Sequence, residues 1–151
     1  MARSLRTRAF QAWWRFARPL TLGVRGVVVD GEGRVLLVRH TYVPGWHFPG
    51  GGVEKGEIAA EALGRELVEE GGIVLTEPAR LVSIHANHSS FPNDQVLLYR
   101  ADRWTQGKAS SHGEIAEVGF FDPKALPEGT TGGTRRRLAE LFGDAPLSPD
   151  W

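Results

Sequence analysis

Residues 44–73 constrain this chain more than any other segment. Pro44-Gly45 opens a run rich in glycine and aromatic residues, with Trp46, His47 and Phe48 ahead of three glycines at 50–52. A helical pattern follows over residues 57–70, and Gly71-Gly72 closes it as a C-cap. Strand patterns lie on both sides. Residues 22–29 and 34–39 are apolar and β-branched, and Asp30-Gly31-Glu32-Gly33 between them signals a hairpin. Residues 79–86, 95–104 and 115–121 read as further strands, with a polar loop over 87–94, and residues 134–142 read as a second helix closed by Gly143. Strands before and after a central helix, with another helix at the end, predict an α/β fold whose mixed β-sheet is covered on both faces. At 151 residues there is room for one such domain, assigned to residues 20–151. Residues 1–19 form a separate amphipathic helix, with Phe10, Trp13, Trp14 and Ala17 at i, i+3, i+4, i+7.

The central helix carries charge where an apolar stripe should run. Setting Glu66 at 0° and advancing 100° per residue puts Ala59 at about 20°, Leu63 at about 60° and Leu67 at about 100°. Glu70 falls at about 40° and Glu69 at about 300° on the same wheel, so three carboxylates meet in the last turns of the helix, at the negative end of its dipole. Like charges turned inward are costly unless something positive joins them. Arg65 reaches Glu61 or Glu69 at i, i+4, and one guanidinium cannot neutralise three carboxylates. Oxygen ligands beside a sharp glycine turn suit Mg²⁺ or Mn²⁺. With no cysteine in the chain, disulfides, thiolate metal sites and cysteine nucleophiles are all excluded.

These residues resemble the Nudix hydrolase family. Gly51, Glu57, Arg65-Glu66-Leu67, Glu69-Glu70 and Gly72-Ile73 occupy every fixed position of the family's 23-residue box, and the approach from Gly45 to Gly50 is similar to the family's as well. The resemblance implies a Nudix-like α/β/α sandwich, to which the N-terminal helix is extra. It implies hydrolysis of the pyrophosphate bond in a nucleoside diphosphate linked to another group, with two or more divalent cations as cofactors. Carried over by position, Glu66, Glu69 and Glu70 are the side-chain metal ligands, the Gly50 carbonyl completes the set, Arg65 orients the glutamates, and Glu57, expected in the first helical turn, supports the loop. A further catalytic carboxylate from a loop before a late strand is also implied: Glu114 is the first choice and Glu117 the second.

Around the box, Trp46, His47 and Phe48 either wall the substrate pocket or belong to the core. Arg25 and Arg39, on strands that precede the site, are candidates for a non-scissile phosphate. His85 and His88 read as loop residues near the substrate mouth. The proline that ADP-ribose hydrolases of the family carry 15 or 16 residues after the box is absent, since His88 and Ser89 stand there. Phe91 stands near the place of the tyrosine of dinucleoside polyphosphate hydrolases and lacks its hydroxyl. The substrate is therefore open, with Phe91 counted among its contacts.

Eighteen basic and eighteen acidic residues balance, which gives no global pull toward nucleic acid or anionic lipid. Locally, residues 1–44 hold eight arginines against Asp30 and Glu32, whereas residues 51–73 hold six glutamates against Lys55 and Arg65. That arrangement suits an anionic ligand gripped partly by arginine and partly by a metal on carboxylates. The expected partner is a small-molecule nucleotide in the cytoplasm, with no stable nucleic acid. The N-terminal helix is expected to pack on its own domain or on a second copy in a homodimer, ahead of a membrane surface. The competing functional readings are a Nudix-fold nucleotide sensor that does not turn over and a membrane-associated interaction protein. The complete carboxylate set favours the enzyme.

Overall fold

The computed structural model describes residues 5–111 and 113–151. In chain order the elements are α1 (Leu5–Ala17), β1 (Thr21–Val28), β2 (Val35–His40), β3 (Trp46–His47), β4 (Gly50–Gly52), α2 (Ala59–Gly71), β5 (Ile73–Leu75), β6 (Arg80–Ala86), β7 (Asp94–Ala101), β8 (Trp104–Gln106), β9 (Ile115–Phe121) and α3 (Gly132–Phe142).

The strands form a four-stranded sheet in the order β4-β1-β7-β6, a three-stranded sheet in the order β3-β2-β9, and a β5-β8 pair. The first sheet is mixed as expected: β1 and β7 run parallel, while β4 and β6 pair antiparallel with their neighbours. The turn at Asp30 forms, and its carboxylate accepts hydrogen bonds from the backbone N–H groups of Glu32 and Arg34. The two strands it joins then diverge into different sheets beyond the Val29–Val35 bridge.

Alternation along β1 and β2 makes the sandwich. Val24, Val28 and Leu36 face α2, where Ala62, Leu63 and Leu67 complete a cluster with Ile73 and Tyr99. Val27, Val29, Val35 and Leu37 face the other way, onto Phe48, Leu98 and Leu138 of α3. Period-2 strands buried on both faces read as continuous apolar runs, and these two do. Phe48 is fully buried, which settles its place in the core.

Several boundaries differ from expectation for physical reasons. The strand expected over 95–104 divides in two, because after Ala101 the chain leaves β7 and β8 pairs with β5 instead. Strands β3, β4 and β5, of two or three residues each, are too short to show a period in sequence. Helix α2 begins at Ala59 with Ile58 as N-cap, so Glu57 stands before the helix and not in its first turn. Its backbone N–H donates to the Glu54 carbonyl in a tight turn. Gly72 closes α2 in the left-handed conformation, donating to the Leu67 and Val68 carbonyls.

Packing of α1 on its own domain is not what the structure shows. Phe10 is 59% exposed and Trp13 61%. The aromatic residues pack mainly on one another, with Phe10 edge-on to Trp14 at 5.5 Å and the Arg18 guanidinium 3.7 Å above the Trp14 ring. No helix among the described residues is long and apolar enough to cross a membrane.

Candidate active site

The last turns of α2, the β4 glycines and the loop before β9 converge. Glu66 and Glu70 are largely buried, as the helical wheel requires, while Glu69 is more open. Arg65 lies across them, donating to Glu57 at 2.9 Å, to Glu66 at 2.8 Å and to Glu69 at 3.4 Å. This one guanidinium joins the residue before the helix to two carboxylates within it. Its bond to Glu57 lowers the Glu57 pKa and raises its own. Burial pushes the Glu66 carboxyl up in spite of Arg65, with the Glu70 and Glu69 charges adding to the rise.

Glu70 is held differently. One oxygen lies 2.7 Å from His40 Nε2, and the other accepts the Gly50 N–H at 2.9 Å. Sequence reasoning missed His40, because nothing in the spacing of β2 ties it to a glutamate thirty residues on.

The glycines answer to close approach. A Cβ on Gly51 would stand 2.4 Å from a Glu66 carboxylate oxygen, and one on Gly50 would stand 2.0 Å from the Val24 carbonyl oxygen. No residue with a side chain fits either place without displacing the site.

Glu66, Glu69 and Glu70 line a cleft of about 300 Å³ together with Ser110, Ser111 and Glu114. The backbone N–H groups of Ser110 and Ser111 donate to the Glu69 carbonyl, tying this loop to the end of α2. Glu114 therefore joins the three carboxylates. Glu117, the second choice, points elsewhere and forms an ion pair with Arg39.

The remaining sequence-derived candidates divide. Arg25 and Phe91 line a second cleft beside Gly51 and Gly52. Arg39 and Trp46 lie instead on the other sheet: Arg39 is paired with Glu117, and Trp46 packs edge-on against Phe121 at 4.9 Å. Neither is among the residues that line the two clefts described above. His47 is half-buried and bonded through Nε2 to the Pro44 carbonyl, and burial lowers its pKa. His85 is no loop residue. It is fully buried on β6, between Ser83, the Ser148 carbonyl and Arg137, while His88 is exposed in the following loop.

Among the described residues no three acidic or histidine side chains stand ready to enclose an ion. The reason is visible in the bonds above: Arg65 holds Glu66, and His40 and the Gly50 N–H hold Glu70. The donor set nevertheless suits a hard cation, being oxygen only, partly desolvated and in excess of its one arginine.

Similarity to known proteins agrees with this geometry. The pattern that defines the NUDIX domain matches residues 19–142. A Bacillus subtilis protein provisionally named as an 8-oxo-dGTP diphosphatase is 33% identical over 108 residues, which is 71% of this chain and 70% of that protein. A second B. subtilis protein, provisionally named as an ADP-ribose pyrophosphatase, is 35% identical over 108 residues, covering 69% of this chain and 51% of the relative. Among solved structures, the MutT NUDIX hydrolase from Burkholderia pseudomallei superposes with a TM-score of 0.69 at 28% identity, over 80% of this chain and 97% of that one. The chain belongs to the Nudix family of hydrolases.

Proposed function

We propose that this protein hydrolyses the pyrophosphate bond of a nucleoside diphosphate linked to another group X, releasing a nucleoside monophosphate and phosphorylated X. The observation that carries this reading is the convergence of Glu66, Glu69, Glu70 and Glu114 on one cleft, with Gly51 pressed against Glu66. Glu66, Glu69 and Glu70, with the Gly50 carbonyl, would hold Mg²⁺ or Mn²⁺, two or more ions in all. Such ions, when bound, shield the pyrophosphate charge and lower the pKa of an attacking water. The protein's own groups do the positioning. Arg65 fixes Glu66 and Glu57, His40 fixes Glu70, and Glu114, which lines the same cleft, would take a proton from the attacking water. Arg25, which lines the cleft beside Gly51 and Gly52, would meet a phosphate there.

The names of the relatives span an oxidised nucleoside triphosphate and ADP-ribose, so the test is a panel. Purified protein with Mg²⁺ is incubated with nucleotide sugars, dinucleoside polyphosphates and nucleoside triphosphates, 8-oxo-dGTP among them. The expected products are a nucleoside monophosphate and the phosphorylated second group. Inorganic phosphate as the sole product, or full activity after exhaustive chelation, would overturn the reading.

A further inference from the structure

The chain buries a charged network that the hydrolytic site does not use. Arg137 on α3 is fully buried and bonded through its guanidinium to Glu140, to His85 Nδ1 at 2.9 Å and to the Asp150 carbonyl at 2.8 Å. Glu140 in turn accepts the Ser148 N–H at 2.9 Å. The Ser148 carbonyl lies 2.8 Å from the same His85 Nδ1, which accepts from Arg137 in one tautomer and donates to that carbonyl in the other. Burying such a pair is a poor source of stability compared with apolar packing. What the pair does is fix a conformation. Every one of these bonds ends on the segment 148–151 or on a group that holds it.

The segment is held along the edge of β6 as well. The Ala86 N–H donates to the Pro149 carbonyl at 2.8 Å, and the Trp151 N–H donates to the Ala86 carbonyl at 2.9 Å. These restraints deliver one side chain, the Trp151 indole. It sits 6.5 Å from the Phe48 ring and 5.8 Å from the His85 ring, with the Arg137 guanidinium 5.6 Å from its centroid. A Cβ on Gly133 would stand 2.5 Å from its Nε1, so the start of α3 is shaped to admit it.

Trp151 is half-buried and lines the second cleft, of about 240 Å³, with Arg25, Gly51, Gly52, Asn87 and Phe91. Gly51 is common ground, since the Glu66 carboxylate of the first cleft lies against it. A ligand whose pyrophosphate lies among the glutamates therefore has its next group beside Trp151. We infer that Trp151 is a substrate-binding residue that forms the stacking wall for the planar base of the nucleoside, in the cleft that Phe91 also lines, with the Arg137–Glu140–His85 network as its support. This rests on reading the two clefts as one nucleotide site. An indole offers the largest flat face available to a base, and stacking tolerates different bases. Trp46, the sequence's own candidate for this role, packs on the other sheet.

The test uses the full chain and three variants: Trp151→Ala, Trp151→Phe and Gly133→Ala, the last of which displaces the indole without removing it. Binding of adenosine and guanosine 5′-monophosphates is measured by calorimetry against ribose 5-phosphate, which lacks the base. KM and kcat are measured on whichever nucleotide substrate the wild type turns over. Trp151→Ala should weaken binding of both monophosphates and raise KM by roughly 5- to 150-fold, the span of one base-aromatic stack. Ribose 5-phosphate should bind the same, kcat should change less than KM, Trp151→Phe should restore most of the loss, and Gly133→Ala should reproduce part of it. Equal losses for ribose 5-phosphate, or turnover with KM indifferent to all three variants, would overturn the inference while leaving the hydrolase reading intact. Wild-type protein that binds neither monophosphate would also overturn it. Base-dependent binding in a protein that hydrolyses nothing on the panel would uphold the Trp151 assignment and sink the hydrolase reading instead.

Discussion

Helices α1 and α2 are each thirteen residues long and each amphipathic, and they break the usual rule in opposite directions. On α1 most of the apolar stripe is left outside, with Phe10 59% and Trp13 61% exposed and only Trp14 half-buried, under its own neighbours Phe10, Trp13 and Arg18. On α2 the inward stripe carries Glu66 and Glu70 among Ala62, Leu63 and Leu67. An exposed aromatic costs nothing specific to this fold, since much apolar surface of any protein stays in water. A buried carboxylate has to be partnered, and each partner on α2 is a named group: Arg65, His40 or the Gly50 N–H. Helix α3 follows the α2 pattern, with Arg137 buried against Glu140. Buried charge thus marks where the structure is committed, and exposed aromatic surface marks where it is not.

The largest effect should come from breaking a committed charge. Arg137→Ala leaves Glu140 buried without its counter-ion and should cost about 3 to 5 kcal/mol. For a chain of this size that is a fall of roughly 6 to 20 °C in melting temperature. The same network sets an acid limit. Burial and the Arg137 charge hold the His85 pKa below its ordinary 6.5. As pH falls past about 6.5 the unfolded chain takes up a proton that the folded chain refuses, so stability declines from there downward. Burial works to raise the Glu140 pKa, and the bonds from Arg137 and the Ser148 N–H outweigh it, leaving the value below its ordinary 4.5. Its contribution is whole above that value and is lost as pH falls through the folded pKa. Melts across pH 3 to 8 on the wild type should show both declines, and the Arg137→Ala profile should be flatter. A variant as stable as the wild type would dissolve the contrast between buried and exposed groups.

Next in size is Glu70→Gln. The amide preserves volume and still accepts the Gly50 N–H, but it removes a charge from the cleft. Turnover should fall on the order of 10²-fold or more while the melting temperature changes little. Single-turnover rates with Mg²⁺ alongside thermal melts would separate the two quantities. An unchanged rate would mean that the buried carboxylates of α2 serve structure alone.

Deleting residues 1–18 should have the smallest effect. With the stripe of α1 exposed, its loss should move stability by no more than about 0.5 kcal/mol, as for surface changes in general. Reading the aromatic stripe in sequence as packed on its own domain implies a loss of several kcal/mol instead, at ~25 cal/mol per Å² of buried apolar area. Melts at two protein concentrations, with sizing by gel filtration, discriminate. A large loss independent of concentration would return the helix to its own domain. A loss that grows on dilution of the full chain would place its stripe against a second copy.

Much of the site is legible in the order of residues because its information is local. The spacing of Glu66, Glu69 and Glu70 along one helix fixes their common face through the 3.6-residue period alone, and a glycine run beside them betrays close backbone approach. The strands β1 and β2 are legible for the same reason, since two buried faces leave an unbroken apolar run. Other features are decided by pairing across the chain, to which periodicity is blind. Glu114 meets the cleft and Glu117 does not because Glu117 lies within β9, opposite Arg39 of β2, while Glu114 precedes the strand in the loop. His40 meets Glu70, and Trp46 leaves for Phe121, because β2, β3 and β9 form a sheet separate from β1 and β4. His85, which reads in sequence as a polar loop residue, is buried because a segment more than sixty residues later lies along β6 and brings Ser148 and Trp151 to it. Local chemistry, carried on one helix and one loop, is written in the sequence itself. Which distant side chain completes a pocket is decided by how the sheets diverge and where the last segment lies, and only the folded chain contains that.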